Sequence, residues 1–162
     1  MKIAINNQQH LLTINKREIS ALASFLMERA ARIRPERQWQ EISLVIADDR
    51  LMSQLNTEFM DDPSATDVLS FCLPPMPEAP ALFSGEVFVN AQRAIALSRT
   101  NKGIARELAL YIAHGCDHLM DEDDSDATSR QRMRNRELRW LREADSIKLL
   151  DKLAKPLKDV GR

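Results

Sequence analysis

No net positive charge, no long apolar run and almost no cysteine: these absences bound the protein first. The formal net charge is −1 over 162 residues, so no global field draws in nucleic acid, and any RNA binding must come from a local patch. No apolar stretch approaches the roughly 20 residues of a membrane span. The opening residues, MKIAINNQQH, lack the apolar segment of a signal peptide. Two cysteines, Cys72 and Cys116, are too few for a disulfide framework and read as reduced thiols. The expectation is a soluble, cytoplasmic protein with no membrane partner. With 44% hydrophobic and 29% charged residues, four glycines and seven prolines, the composition is that of a globular chain rather than a disordered one. The length suits one domain over residues 1–162, and no compositional shift marks a boundary.

Residues 2–6 alternate weakly and read as a strand. Ile19, Leu22, Ala23, Leu26 and Ala30 form an apolar stripe that predicts a helix over 16–33. Residues 41–47, EISLVIA, read as a buried strand. Asp48 or Asp49 can cap a helix reaching about Phe59, with Leu51, Leu55 and Phe59 on one face. Short strands are expected at Val68 to Phe71 and Gly85 to Asn90. Between them, residues 73–82 hold four prolines and predict an extended surface loop. Further helices are expected from Asn90, over about 103–119 and over about 128–154. Helices separating strands in this order predict an α+β (or α/β) fold, a small mixed sheet packed with helices.

The sequence has three histidines, and two of them, His114 and His118, are four residues apart. On a helix that spacing places both imidazoles on one face, one turn apart. Two ligands so placed suit one ion at the zinc–nitrogen distance of about 2.0–2.1 Å. Leu108, Tyr111, Ile112 and Leu119 predict that this helix is buried and rigid. An acidic run, DEDDSD, follows at 121–126. A helix ending near Met120 or Asp121 lets the chain turn back and deliver Asp124 as third ligand. A carboxylate ligates zinc and shifts the site toward harder ions such as manganese or magnesium. Three protein ligands leave a position for water, as in a catalytic site. An EF-hand is excluded, since the turn glycine and the twelfth-position Glu are absent. Gly115 stands where HExxH metalloproteases have glutamate. Asp117 is a candidate general base, with an exposed helical aspartate as the plainer alternative. Cys116, on the far side of the helix, reads as a buried thiol.

The run HGCDHLMDEDD resembles the HGxLHLxGYDH signature of the YbeY-type endoribonucleases, the rRNA maturation factors. LNTEFMDDPSATDVLSF (55–71) is similar to that family's LNxxYRxxDxPTDVLSF segment. SGEVFVNAQRA (84–94) resembles its LGDIxIS strand and following helix, and RMRNRELRWL (132–141) its last helix. The order and spacing match over most of the chain. The resemblance implies an α+β fold and a metal-dependent hydrolase of single-stranded RNA, with zinc as the ion. It further implies rRNA or the ribosomal subunit as partner, with a role in rRNA maturation and ribosome quality control. His114 and His118 fall on the family's metal ligands. Asp124 stands in place of the third histidine, Met60 in place of an arginine facing the RNA groove, Asp121 in place of a glycine and Ala65 in place of a proline. Aspartate adopts the left-handed conformation more readily than most residues, so the turn at Asp121 is expected to persist.

Six arginines lie between 130 and 142, while Met133, Trp140, Leu141, Ala144 and Ile147 mark the apolar face of that helix. Arg132, Arg136 and Arg139 are therefore candidate phosphate contacts on an exposed stripe. The leading expectation is an endoribonuclease using metal-bound water, with His114, His118 and Asp124 holding the ion. The alternatives are a non-catalytic or weakly active paralogue that binds RNA or a ribosomal protein, and another metallohydrolase such as a peptidase.

Overall fold

The computed structural model describes residues 1–122 and 124–157. Strand β1 (Lys2–Asn7) is followed by β2 (Leu12–Ile14) and helix α1 (Lys16–Ala30), which Asn15 caps by accepting from the Glu18 N–H. A 3₁₀ turn over Ala31–Ile33 leads into β3 (Gln38–Ala47). Helix α2 (Asp49–Met60) is capped by Asp48, whose carboxylate accepts from the Leu51 N–H at 2.9 Å. Strands β4 (Val68–Leu73) and β5 (Leu82–Asn90) flank the proline-rich loop, and α3 (Ala91–Leu97) and α4 (Asn101–His118) follow. The chain continues as α5 (Ala127–Ser146) and β6 (Ala154–Pro156).

The fold is α+β, with a mixed four-stranded sheet in the order β1-β3-β5-β4. β1, β3 and β5 run parallel, and β4 is antiparallel to β5. Alternation along β3 and β5 turns Ile42, Leu44, Ile46, Val87 and Val89 toward one core. Helices α1 and α4 cover that face, and α4 is buried along most of its length. The opposite side of β4 and β5 carries Leu69, Phe71 and Phe88, which pack against Met52 of α2.

Three expectations need correction. The residues that α2 buries fully are Met52 and Asn56, beside the expected Leu51 and Leu55, which pack partly buried against the same cluster, while Phe59 is exposed. Helix α5 stops at Ser146 instead of near 154, because Lys148 adopts a left-handed φ of 63° and Leu149 N–H returns to the Ala144 carbonyl. That turn buries Leu150 and Leu153 and lets 154–156 pair antiparallel with β2, a two-stranded sheet the patterning did not announce. Strand β3 begins earlier than its apolar run, since pairing with β5 extends it back to Gln38.

Gly115 fixes how closely α4 lies on the sheet. A Cβ there would stand 2.3 Å from Val87 Cγ1, and Ser70 Oγ donates to the Gly115 carbonyl at 3.1 Å. A glutamate at 115 would point into the sheet and away from any solvent-facing ion. The packing therefore excludes the HExxH arrangement for a physical reason.

Candidate metal centre and the adjoining cleft

His114 and His118 occupy the last turns of α4, each about a quarter exposed. Leu119 closes the helix, and Asp121 then takes a left-handed φ of 57°. Two arginines before β3 hold this turn. Arg34 Nε donates to the Met120 carbonyl at 3.1 Å, and Arg37 Nη1 donates to the Leu119 carbonyl at 2.9 Å. Arg37 also pairs with the Asp121 carboxylate. These groups satisfy carbonyls that a helix end leaves open. The turn redirects the chain, and Arg130 fastens the segment before α5 by donating to the carbonyls of Asp124 and Ser125.

The result brings His114, His118 and Asp124 together. The two Nε2 atoms are 3.0 Å apart, and Asp124 Oδ2 is 3.8 Å from each. The point equidistant from these three atoms lies about 2.1 Å from each, the bond length of zinc to imidazole and carboxylate. Both remaining ring nitrogens are engaged. His114 Nδ1 donates to Glu137 Oε1 at 2.7 Å, and His118 Nδ1 donates to the Glu122 carbonyl at 3.0 Å. Those bonds place the protons on Nδ1 and leave both Nε2 lone pairs facing the common point, the usual second layer behind a metal-ligating histidine. The donor set fits a divalent ion of borderline softness.

Electrostatics divides the two imidazoles. Burial pulls His114 down, but the hydrogen bond and charge of Glu137, with Asp67 and Asp124, overcome it and raise the imidazolium above its ordinary value. Burial and the neighbouring His114 hold His118 below it. Glu137, 2% exposed on α5, lies in the RMRNRELRWL segment but had no role assigned to it from the sequence. Its signals were its place on the apolar side of an otherwise arginine-rich helix and the glutamate in the last-helix pattern that this segment resembles.

The other candidates fall apart from the ligands. Asp117 is fully buried, not an exposed helical aspartate. Both of its oxygens accept from Arg136, at 2.7 and 3.0 Å, and burial pushes its carboxyl up to about 6. Arg136 also pairs with Glu122 at 2.9 Å. It is largely enclosed and ties α5 to α4 and the turn, so it does not belong to the exposed stripe expected of it. Arg132 and Arg139 are exposed and line grooves on α5. Met60 is 65% exposed at the end of α2. Cys116 is buried, and that burial raises its thiol far above its ordinary value.

Beside His114 opens a cleft of about 390 Å³, walled by Leu110 and Met133 and carrying Asp67, Tyr111, Gln131 and Arg134. Asp67 sits inside the TDVLSF run, whose resemblance assigned it no role of its own.

A family profile described as Endoribonuclease YbeY matches residues 4–145. Relatives named Endoribonuclease YbeY include one from Arthrobacter sp. (strain FB24), 33% identical over 141 residues that cover 82% of this chain and 86% of the relative. Another, from Protochlamydia amoebophila (strain UWE25), is 24% identical over 148 residues, covering 91% and 95%. The solution structure of TM1509 from Thermotoga maritima matches with a TM-score of 0.53 at 20% identity, over 99% of both chains, which speaks to the fold alone. A profile spanning nearly the whole chain, on a fold that sets two helix-borne imidazoles and a carboxylate around one point, places this protein in the YbeY endoribonuclease family.

Proposed function

We propose that the protein, as one domain over residues 1–162, is a metal-dependent endoribonuclease that hydrolyses phosphodiester bonds of single-stranded RNA. In this reading zinc is the ion, rRNA or the ribosomal subunit supplies the substrate, and the setting is cytoplasmic rRNA maturation and ribosome quality control. No helix among the described residues is long and apolar enough to cross a membrane, which is compatible with that setting. The observation that carries the reading is the convergence of His114 Nε2, His118 Nε2 and Asp124 Oδ2, backed by Glu137 and the Glu122 carbonyl.

A divalent ion bound there supplies Lewis acidity at a phosphoryl oxygen and lowers the pKa of a coordinated water toward neutrality. The chain contributes the rest. Glu137 orients His114 and keeps its proton on Nδ1. The arginine-held turn delivers Asp124. Arg132 and Arg139 offer cations to the phosphates of a strand running along α5, which supplies locally the positive field that the net charge lacks. Asp117 and Arg136 hold the frame instead of moving protons.

Met60 favours a second reading, since this exposed thioether offers no cation to a phosphate or a developing negative charge. A weakly active or non-catalytic RNA binder would have the same scaffold. Incubating metal-loaded protein with single-stranded rRNA fragments separates the two. Cleavage abolished by chelation and by His114→Ala supports the nuclease. RNA binding without cleavage, with cleavage appearing in the Met60→Arg, Asp124→His double variant, supports the binder.

A further inference from the structure

Tyr111 lies one turn before His114 on the same face of α4. It is 3% exposed, and its hydroxyl has no hydrogen-bond partner among the described residues. A buried hydroxyl is costly to leave unpaired, so an unmatched one at a cleft wall marks a place for a ligand. Burial pushes the group up to about 12, so it remains a donor at neutral pH.

Asp67 faces the same cleft. Its Oδ1 accepts from the Val68 N–H at 3.1 Å and from Thr66 Oγ1 at 3.2 Å, while Oδ2 has no partner among the described residues. The backbone behind it is fixed. Asn90 N–H donates to the Asp67 carbonyl at 2.9 Å, and the buried Asn90 amide donates to the Thr66 carbonyl at 3.0 Å. The carboxylate is thus presented from a rigid support.

The cleft's volume of about 390 Å³ accommodates a single nucleobase with its sugar, and Leu110 and Met133 give that base apolar walls. Three carboxylates, Asp67, Asp124 and Glu137, line it beside two arginines, Arg130 and Arg134, so an occupant that brings hydrogen-bond donors suits it better than a bare phosphate. A base offers N–H donors, and single-stranded RNA is read by bases turned out and hydrogen-bonded along their edges. Guanine, adenine and cytosine carry an exocyclic amino group that a carboxylate accepts. Uracil presents carbonyls there and keeps only its ring N3–H, set between two acceptors, so it meets the carboxylate less well than an amino-bearing base.

We propose that this cleft seats one base of the RNA strand beside the metal ligands, with Asp67 accepting from its amino group and Tyr111 bonding to its edge, so that an amino-bearing base is preferred over uracil. The inference rests on the reading of RNA as substrate, but not on cleavage. Its test is therefore binding of zinc-loaded protein to fluorescent heptanucleotides, all uridine or uridine with one central cytidine, adenosine or guanosine. A single amino-bearing base is expected to tighten binding about tenfold, the scale of a buried hydrogen bond to a charged group. Asp67→Asn is expected to bring the mixed strands within about twofold of all-uridine. Tyr111→Phe is expected to weaken the mixed strands about fivefold while the zinc content stays at the wild-type level. Equal binding of all four strands by the wild-type protein overturns the proposal, as does a base preference unchanged in both variants. Failure to bind any strand removes the RNA reading and this inference with it. Base-selective binding without cleavage removes only the nuclease reading.

Discussion

At the scale of single residues, the proposed metal centre would depend on a side chain that touches no ion. Glu137 holds His114 through a 2.7 Å bond from a site 2% exposed. Glu137→Gln keeps the shape and a weaker acceptor, and is expected to lower zinc affinity about 10- to 100-fold. Competition with a chromophoric chelator measures it, and an unchanged affinity would deny Glu137 this role. Protons compete with the ion for the same nitrogens. His114, raised by Glu137, must lose its proton before Nε2 can ligate, so zinc affinity should fall as pH falls through the upper part of the histidine range. Titrating zinc between about pH 8 and 5.5 checks the sign, and affinity that rises on acidification would contradict it.

At the scale of elements, the site is the end of α4 and the turn that follows it, and both are set by packing. Gly115 permits α4 to rest on β5, with 2.3 Å left to Val87 for any added Cβ. Gly115→Ala gains helix propensity but overpacks this contact, and a net loss of about 1–3 kcal/mol is expected in urea unfolding. Arg136 joins α4, the turn and α5 through Asp117 and Glu122. Arg136→Ala leaves the Asp117 carboxylate buried without its partner and should cost about 3 kcal/mol or more, whereas exposed Arg132→Ala should change stability by less than about 0.5 kcal/mol. Similar stabilities for the two variants would return Arg136 to the surface stripe.

What the sequence disclosed at this scale follows from the range of each interaction. The i, i+4 spacing of His114 and His118 and the left-handed turn at Asp121 are local, and both were readable. Capping by Asp48 and the start of a helix at Asn90 were readable for the same reason. Glu137 lies 23 residues from His114, and Arg37 lies 84 from Asp121, so neither pairing has a periodic signature. The early end of α5 was hidden because a turn at Lys148, not a proline or glycine, breaks the helix. Arg136 was misplaced among exposed arginines because its partners belong to another helix and the turn.

At the scale of the molecule, a mixed sheet carries a buried helix whose C-terminal end opens onto a cleft and an arginine-bearing helix. Formal charge of −1 hides this asymmetry, since the acidic turn and the cations of α5 cancel in the sum but not in space. If Arg132 and Arg139 contact phosphates, Arg132→Ala and Arg139→Ala should each weaken RNA binding uniformly across sequences. Each should also flatten the dependence of log affinity on log salt by about 0.7, the single-strand increment per phosphate. The most direct measurement is elemental analysis of the purified protein beside its His114→Ala, His118→Ala and Asp124→Ala variants. One zinc per chain, lost in either histidine variant and weakened in Asp124→Ala, is the predicted result. Wild-type protein without stoichiometric metal after zinc loading, or zinc retained in both histidine variants, would contradict it.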